Sequence, residues 1–180
     1  IGALMMLNLM REFPVNDWDP NGPEAWHVKI EAQKLSFADL RRYNADPRVS
    51  RIPVDGLLDK NYAKQRAQTI AMDKANCDSQ PGIPEGIQSA QKVGHTIYMT
   101  AVDRDGNIVS WIQSISDLWG SGLVVDGLGF HLHDRAGAFS FDADHPNALG
   151  PRKRPFHTII PGFMEKDGQR IGFGIMRGLN

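Results

Sequence analysis

A threonine that opens a β-strand directly behind a flexible segment can supply both a nucleophile and the base that activates it. Thr96 meets both conditions. The run His95-Thr-Ile-Tyr-Met-Thr-Ala-Val102 is rich in β-branched and aromatic residues and reads as a strand. Before it, Asn76 to Gln91 contains Cys77-Asp-Ser-Gln-Pro-Gly-Ile-Pro-Glu-Gly86, a polar stretch with two prolines and two glycines that reads as exposed and mobile. A threonine hydroxyl needs a base at neutral pH. If the chain is cut immediately before Thr96, the new α-amine, which titrates at about 7.7–8.0, lies within reach of that hydroxyl. An ordinary β-branched strand residue is the competing account of Thr96, and a plain linker is the competing account of the segment before it.

Other groupings offer weaker chemistry. His131-Leu-His133-Asp134 would place two imidazoles on one face of a strand, with His145 and His157 nearby in sequence. A metal centre needs three or four such ligands, and no cysteine pair or glutamate motif joins them, so no metal is expected. Gly120-Ser-Gly122 lacks the lysine and spacing of a phosphate loop. Arg152-Lys-Arg154 reads as a solvated loop: 20 Lys and Arg face 21 Asp and Glu, and this balance favours no nucleic-acid partner. Cys77 is the only cysteine, so no intrachain disulfide can form and the compartment stays unread. No run reaches the roughly 20 apolar residues of a membrane span. The apolar start, Ile1 to Met10, has no basic n-region, small-residue cleavage site or initiator Met, and reads as a helix inside a longer chain.

The elements that must position Thr96 fall into two halves. Residues 1–75 follow a helical period. Leu4 and Leu7, with Met5 and Met10, mark a first helix that stops at Pro14. A second begins near Pro23, with Trp26, Ile30, Lys34 and Phe37 on one face and Leu35 and Ala38 beside them, and ends before Asp46-Pro47. A third fits Asp59 to Lys74, capped by Asp59, with Tyr62, Arg66 and Ile70 along one stripe. From residue 95 the period becomes two. Asp103 to Asn107, with Asp-Gly at its centre, is a hairpin turn that returns as a strand over 108–115. Further strands are expected at 122–125, 129–132, 157–160 and 170–175. Helices, then a linker, then strands predict an α+β fold.

The run Gly94-His-Thr96-Ile-Tyr-Met-Thr-Ala-Val-Asp103-Arg-Asp-Gly-Asn107-Ile-Val-Ser, followed by Gln113-Ser and Gly120-Ser-Gly122, resembles the start of the small subunit of γ-glutamyltranspeptidases. Gly129-Phe130 and Asn147-Ala-Leu-Gly150-Pro-Arg-Lys-Arg-Pro155 extend the resemblance. His27 to Asp39, then Asp46-Pro47, resembles the helical end of that family's large subunit. Nearly the whole chain is covered in the family's order. The resemblance implies an N-terminal-nucleophile hydrolase with an αββα four-layer sandwich. Residues 1–95 would be the end of the large subunit, with 76–95 as its processing linker, and 96–180 the first part of the small subunit.

It also implies roles. Cleavage falls between His95 and Thr96, Thr96 is the nucleophile, and Ser114 sits where a hydroxyl orients it. Ile97 stands where the family usually has a second Thr. Ser116 falls where Asn contacts the substrate's α-carboxylate, Arg135 where Gln or Glu lies at the α-amino end, and Ala138 where an Asp pairs with that ammonium. His157 and Thr158 replace a Ser-Ser pair near the carboxylate. Arg177 and Gly178 replace two glycines whose N–H groups form the oxyanion hole. The implied reaction is γ-glutamyl transfer or hydrolysis of glutathione-type donors, with an amino acid, a peptide or water as acceptor. The two subunits pair after self-cleavage, and no cofactor is needed. Ala138 and Arg135 favour an alternative, an acylase for glutaryl-type amides. Arg177, the absent family arginine that holds the substrate carboxylate, and the early stop favour a second one, a silent fragment acting in assembly or binding. Arg135 as a solvated surface charge stays open beside its role as a clamp.

Overall fold

The computed structural model describes residues 1–84 and 95–175. The chain divides into two compact units, Ile1–Gln91 with Ser140–Arg154, and Lys92–Phe139 with Pro155–Asn180.

The first unit is helical: α1 (Gly2–Met10), α2 (Pro23–Tyr43), α3 (Val54–Leu58) and α4 (Lys60–Ala67). Pro23 at the first turn starts α2, where its missing N–H costs nothing. Asp59 caps α4, its carboxylate accepting from Tyr62 N at 2.9 Å. Leu9, Ala32, Leu35, Ala67 and Ile70 form the core cluster, with Met10 and Phe13 packed against it. A buried leucine in such a cluster contributes roughly 1.5–3 kcal/mol.

The expected helix faces need correction. Leu4, Leu7, Trp26 and Ile30 are exposed, whereas Met5, Leu9, Ala25, Val28, Ala32 and Leu35 are buried. Phe37 of the expected α2 face is buried, but nearer the start of α2 the smaller Ala25, Val28 and Ala32 face inward in place of Trp26 and Ile30, and α1 comes close to α2. Gly2 shows this: a Cβ there would lie 2.6 Å from Leu40 Cδ1. Trp26 instead carries the Lys29 ammonium over its ring, 4.8 Å from the centroid. The third expected helix is also shorter than its apolar stripe suggested, ending at Ala67, and α3 precedes it.

Segment 80–82 is held, contrary to the expected mobility of the whole stretch after Asn76. Buried Asp39 accepts from Gly82 N at 2.6 Å, from Tyr62 Oη at 3.0 Å and from Arg66 Nη2 at 3.1 Å. Arg66 also donates to Gln80 O at 2.9 Å, and Tyr43 donates to Gly82 O. The basic run is likewise docked. Asp46 pairs with Arg48 at 2.6 Å, and Arg154 reaches the same carboxylate through its backbone N at 2.9 Å and its guanidinium at 3.4 Å.

The second unit holds two antiparallel hairpins in separate two-stranded sheets. β1 (His95–Val102) pairs with β2 (Ile108–Ser116), and β3 (Pro161–Lys166) pairs with β4 (Gln169–Gly174). In the first turn Asp103 accepts from Asp105 N and Asn107 N at 2.9 Å, and Gly106 takes φ +82°. The strand expected at 157–160 is absent, and β3 begins at Pro161 instead. A second Asp-Gly turn, Asp167-Gly168 with both φ positive, was the overlooked sign of this hairpin. The strands expected at 122–125 and 129–132 shrink to one bridge, Val124 with His131. β4 packs its glycine face on β1: a Cβ at Gly172 would meet Thr100 Oγ1 at 2.6 Å, and one at Gly174 would meet the Tyr98 ring at 2.5 Å.

Candidate functional site

Thr96 is the second residue of β1 and shares a strand face with Tyr98 and Thr100. Its environment is set by an irregularity in the partner strand. His95 pairs with Ser116 but Ile97 pairs with Gln113, so β2 spends one more residue than β1 over the same span. Ser114 and Ile115 together therefore oppose Thr96, a bulge of the kind that re-aims a side chain. The half-buried threonine lies in an open cleft of about 300 Å³, lined also by Ile97, Gln113, Ser114, Ile115, Asp117 and Leu118.

The end of β2 is held by its own side chains. Ser116 N donates to Ser114 Oγ at 3.0 Å, and Ser116, buried, takes φ +78°. A left-handed serine costs on the order of 1–3 kcal/mol, and such strain concentrates at functional sites. Asp134 braces the turn, accepting from Asp117 N at 3.0 Å while its own N donates to Ile115 O at 3.2 Å. Burial pushes the Asp134 carboxyl up, but the Asp117 N–H, the Ser116 hydroxyl, its own backbone N–H and the Arg135 charge together outweigh this, and it sits below the usual carboxylate range. Asp117 and Asp134 were not foreseen as site residues. Their only signal in the sequence was adjacency to Ser116 and Arg135.

Arg135 opens the short 3₁₀ helix Arg135–Ala138. It is 5% exposed, which excludes the solvated-surface account. Its Nη1 donates to Thr158 Oγ1 at 3.3 Å, and its buried Nη2 has no hydrogen-bond partner among the described residues. Burial lowers the guanidinium's pKa, with the nearby Asp134 charge opposing. Thr158 is itself buried, while neighbouring His157 is exposed.

The expected residues thus fall into two groups. Thr96, Ser114 and Ser116 come together at the end of the first hairpin, and Arg135 meets Thr158. Asp134 joins the two groups through the backbone. His95 enters only as the first backbone position of β1, and Arg177 and Gly178 lie outside the described residues.

His131, His133 and His145 are engaged separately. His131 packs edge-on to Trp119 with ring centroids 5.8 Å apart, His133 Nδ1 accepts from Arg135 N at 3.2 Å, and His145 Nδ1 accepts from Asn147 N at 2.8 Å. Among the described residues no three His, Cys, Asp or Glu side chains converge on a metal position. A wider cleft of about 490 Å³ lies in the helical unit, but two of its polar side chains serve the fold: Asp59 caps α4 and Tyr62 bonds Asp39.

Thr96 thus stands near the start of an antiparallel hairpin, opposite a bulge at Ser114 and Ile115. The chain belongs to the γ-glutamyltranspeptidase family, whose model matches residues 1–178. It is 37% identical over 178 residues to the glutathione hydrolase-like YwrD proenzyme of Bacillus subtilis, covering 98% of this chain and 32% of that protein. The acylase ACY 1 proenzyme of Pseudomonas sp. strain SE83 is 32% identical, covering 94% of this chain and 29% of that protein. The crystal structure of cephalosporin acylase from Bacillus halodurans matches with a TM-score of 0.81 at 38% identity, covering 95% of this chain and 29% of that one. The chain spans about a third of the length of these relatives.

Proposed function

We propose that the complete protein is an N-terminal-nucleophile amidase with an αββα four-layer sandwich, which cuts itself between His95 and Thr96. Residues 1–95 then end the large subunit and 96–180 begin the small one, and the two pieces stay paired. The observation that carries this reading is the placement of Thr96 at the head of β1, opposite the Ser114–Ile115 bulge and in the cleft beside it.

Thr96 Oγ attacks the carbonyl carbon of a side-chain amide, and the free α-amine of Thr96 takes the hydroxyl proton. That proton passes to the leaving amine as the C–N bond breaks, leaving an ester on Thr96. Water, or the amine of an amino acid or peptide, then attacks the ester and restores the hydroxyl. Backbone N–H groups at Arg177 and Gly178 are assigned to the oxyanion.

The donor is a γ-glutamyl compound of the glutathione type or its counterpart without the α-ammonium, a glutaryl-type amide. Buried Arg135 beside Ala138 favours the second. Intact mass of the complete purified protein tests the mechanism. Two pieces divided at His95/Thr96 are expected, and Thr96→Ala should give one uncut chain with turnover reduced roughly 10⁴-fold or more. Full turnover in that variant, or an intact linkage in the folded parent, overturns the reading and leaves a silent assembly or binding role.

A further inference from the structure

Ser140–Arg154 belongs by sequence to the β-rich half, yet it packs into the helical unit as a strap. The tip of the strap is His145-Pro146-Asn147. Pro146 O accepts from Ser50 Oγ at 2.6 Å and from Lys153 Nζ at 2.7 Å, so this carbonyl is a point where the strap meets the chain that follows α2. The turn that presents it is closed by a side chain. Asn147 N donates to His145 Nδ1 at 2.8 Å across the proline, and the two residues are 0% and 5% exposed. An imidazole nitrogen that accepts carries no proton, so the ring is neutral and its proton lies on Nε2. That Nε2 is buried with no hydrogen-bond partner among the described residues. The charged groups facing the ring are Arg42 of α2 and, within the strap, Lys153 and Asp142. Two cations against one carboxylate disfavour a further positive charge there.

We propose that His145 is a pH-sensitive fastener: proton uptake by its ring opens the turn at Pro146 and releases the strap from the helical unit. A proton on Nδ1 converts the acceptor of Asn147 N into a donor, and two N–H groups then face each other. The turn no longer holds Pro146 O toward Ser50. Burial, opposed by Asp142 and reinforced by Arg42 and Lys153, keeps the ring's pKa below the ordinary histidine value. The sign follows: docking is complete above about pH 6.5, the unfolded value, and weakens as pH falls from there toward the folded one. Asp46, which also holds the strap through Arg154, titrates in a lower window, because its carboxyl lies below the usual carboxylate range. The strap leaves the second unit after Phe139 and returns to it at Pro155. Its release therefore frees the chain on both sides of the Arg135–Thr158 hydrogen bond.

Hydrogen exchange of the complete protein, read by mass spectrometry of its peptides and corrected for the intrinsic effect of pH, tests this between about pH 7.5 and 5.5. Amides within 140–154 should exchange at least about threefold faster at the lower pH, while those of α2 and α4 stay unchanged. His145→Asn keeps a side-chain acceptor for Asn147 N and takes up no proton, so it should abolish the difference. The same difference in His145→Asn, or none in the parent, overturns the proposal. If His145→Asn does not fold, the parent's full profile decides. A midpoint for 140–154 between about pH 5 and 6.5 belongs to the imidazole, and one below about pH 5 belongs to carboxylates and overturns the assignment.

Discussion

Ser114 lies on the strand opposite Thr96, within the bulge, and its hydroxyl already accepts the Ser116 N–H at 3.0 Å. Its role in the proposed reaction is positioning, so its loss should be felt in the acylation step more than in binding. Ser114→Ala is expected to lower kcat roughly tenfold to hundredfold with KM changed by less than about twofold, the scale of one well-placed hydrogen bond. Ser114→Thr, which keeps the oxygen, should recover most of the rate. A purely structural serine would instead show a fall in thermal midpoint and a parallel loss of both parameters, which melting curves beside the kinetics would reveal. The left-handed backbone at Ser116 sets a limit on that end of β2: a β-branched residue there would add strain to a conformation that serine already holds at a cost.

α2 and α4 are joined by polar groups as well as by their apolar core. Asp39, 1% exposed, takes donors from Arg66, Tyr62 and Gly82. Burial nevertheless raises its carboxyl above the usual range, against the pull of Arg66 and the hydrogen bonds. The sign follows directly. A folded-state pKa above the unfolded one favours folding while the carboxyl is protonated, and that advantage shrinks as pH rises from about 4 through the folded value. Removing Arg66 leaves the charge buried with one fewer counterweight. Arg66→Met should therefore destabilise by about 3 kcal/mol at pH 7 and by distinctly less near pH 4, measured by urea unfolding at the two pH values. The same variant should make the backbone at 80–82 easier to cleave with a protease, because Arg66 also holds Gln80 O.

At the scale of the whole molecule, Asp46 ties together residues 108 apart in sequence. Arg48 first, then the backbone N–H and guanidinium of Arg154, hold its carboxyl well below the usual range against the opposing effect of burial. A depressed folded pKa contributes stability that is present above about pH 4 and is lost as pH falls through the folded value. The thermal midpoint should consequently drop between pH 5 and pH 3, and the drop should be smaller in Asp46→Asn than in the parent. An equal drop in the two proteins would show that Asp46 does not carry the acid response. The basic run Arg152-Lys-Arg154 is docked within the helical unit: Arg154 answers Asp46, Lys153 donates to Pro146 O at 2.7 Å, and Arg152 O accepts from Arg48 at 3.3 Å.

Local rules were enough where the cause is local. Pro23 and Asp59 start their helices, Asp105-Gly106 turns the first hairpin, and the change of period at residue 95 marks the passage from helix to strand. The family's block order was legible for the same reason, since it is a property of neighbouring residues. Tertiary structure alone decided which helix face is inner, because close approach favoured Ala25, Val28 and Ala32 over the bulkier Trp26 and Ile30. It alone set the bulge opposite Thr96, which depends on the register between strands. It alone buried Arg135 against Thr158 with one arm of the fork free, for a charge's surroundings come from residues far along the chain, and no spacing rule encodes them.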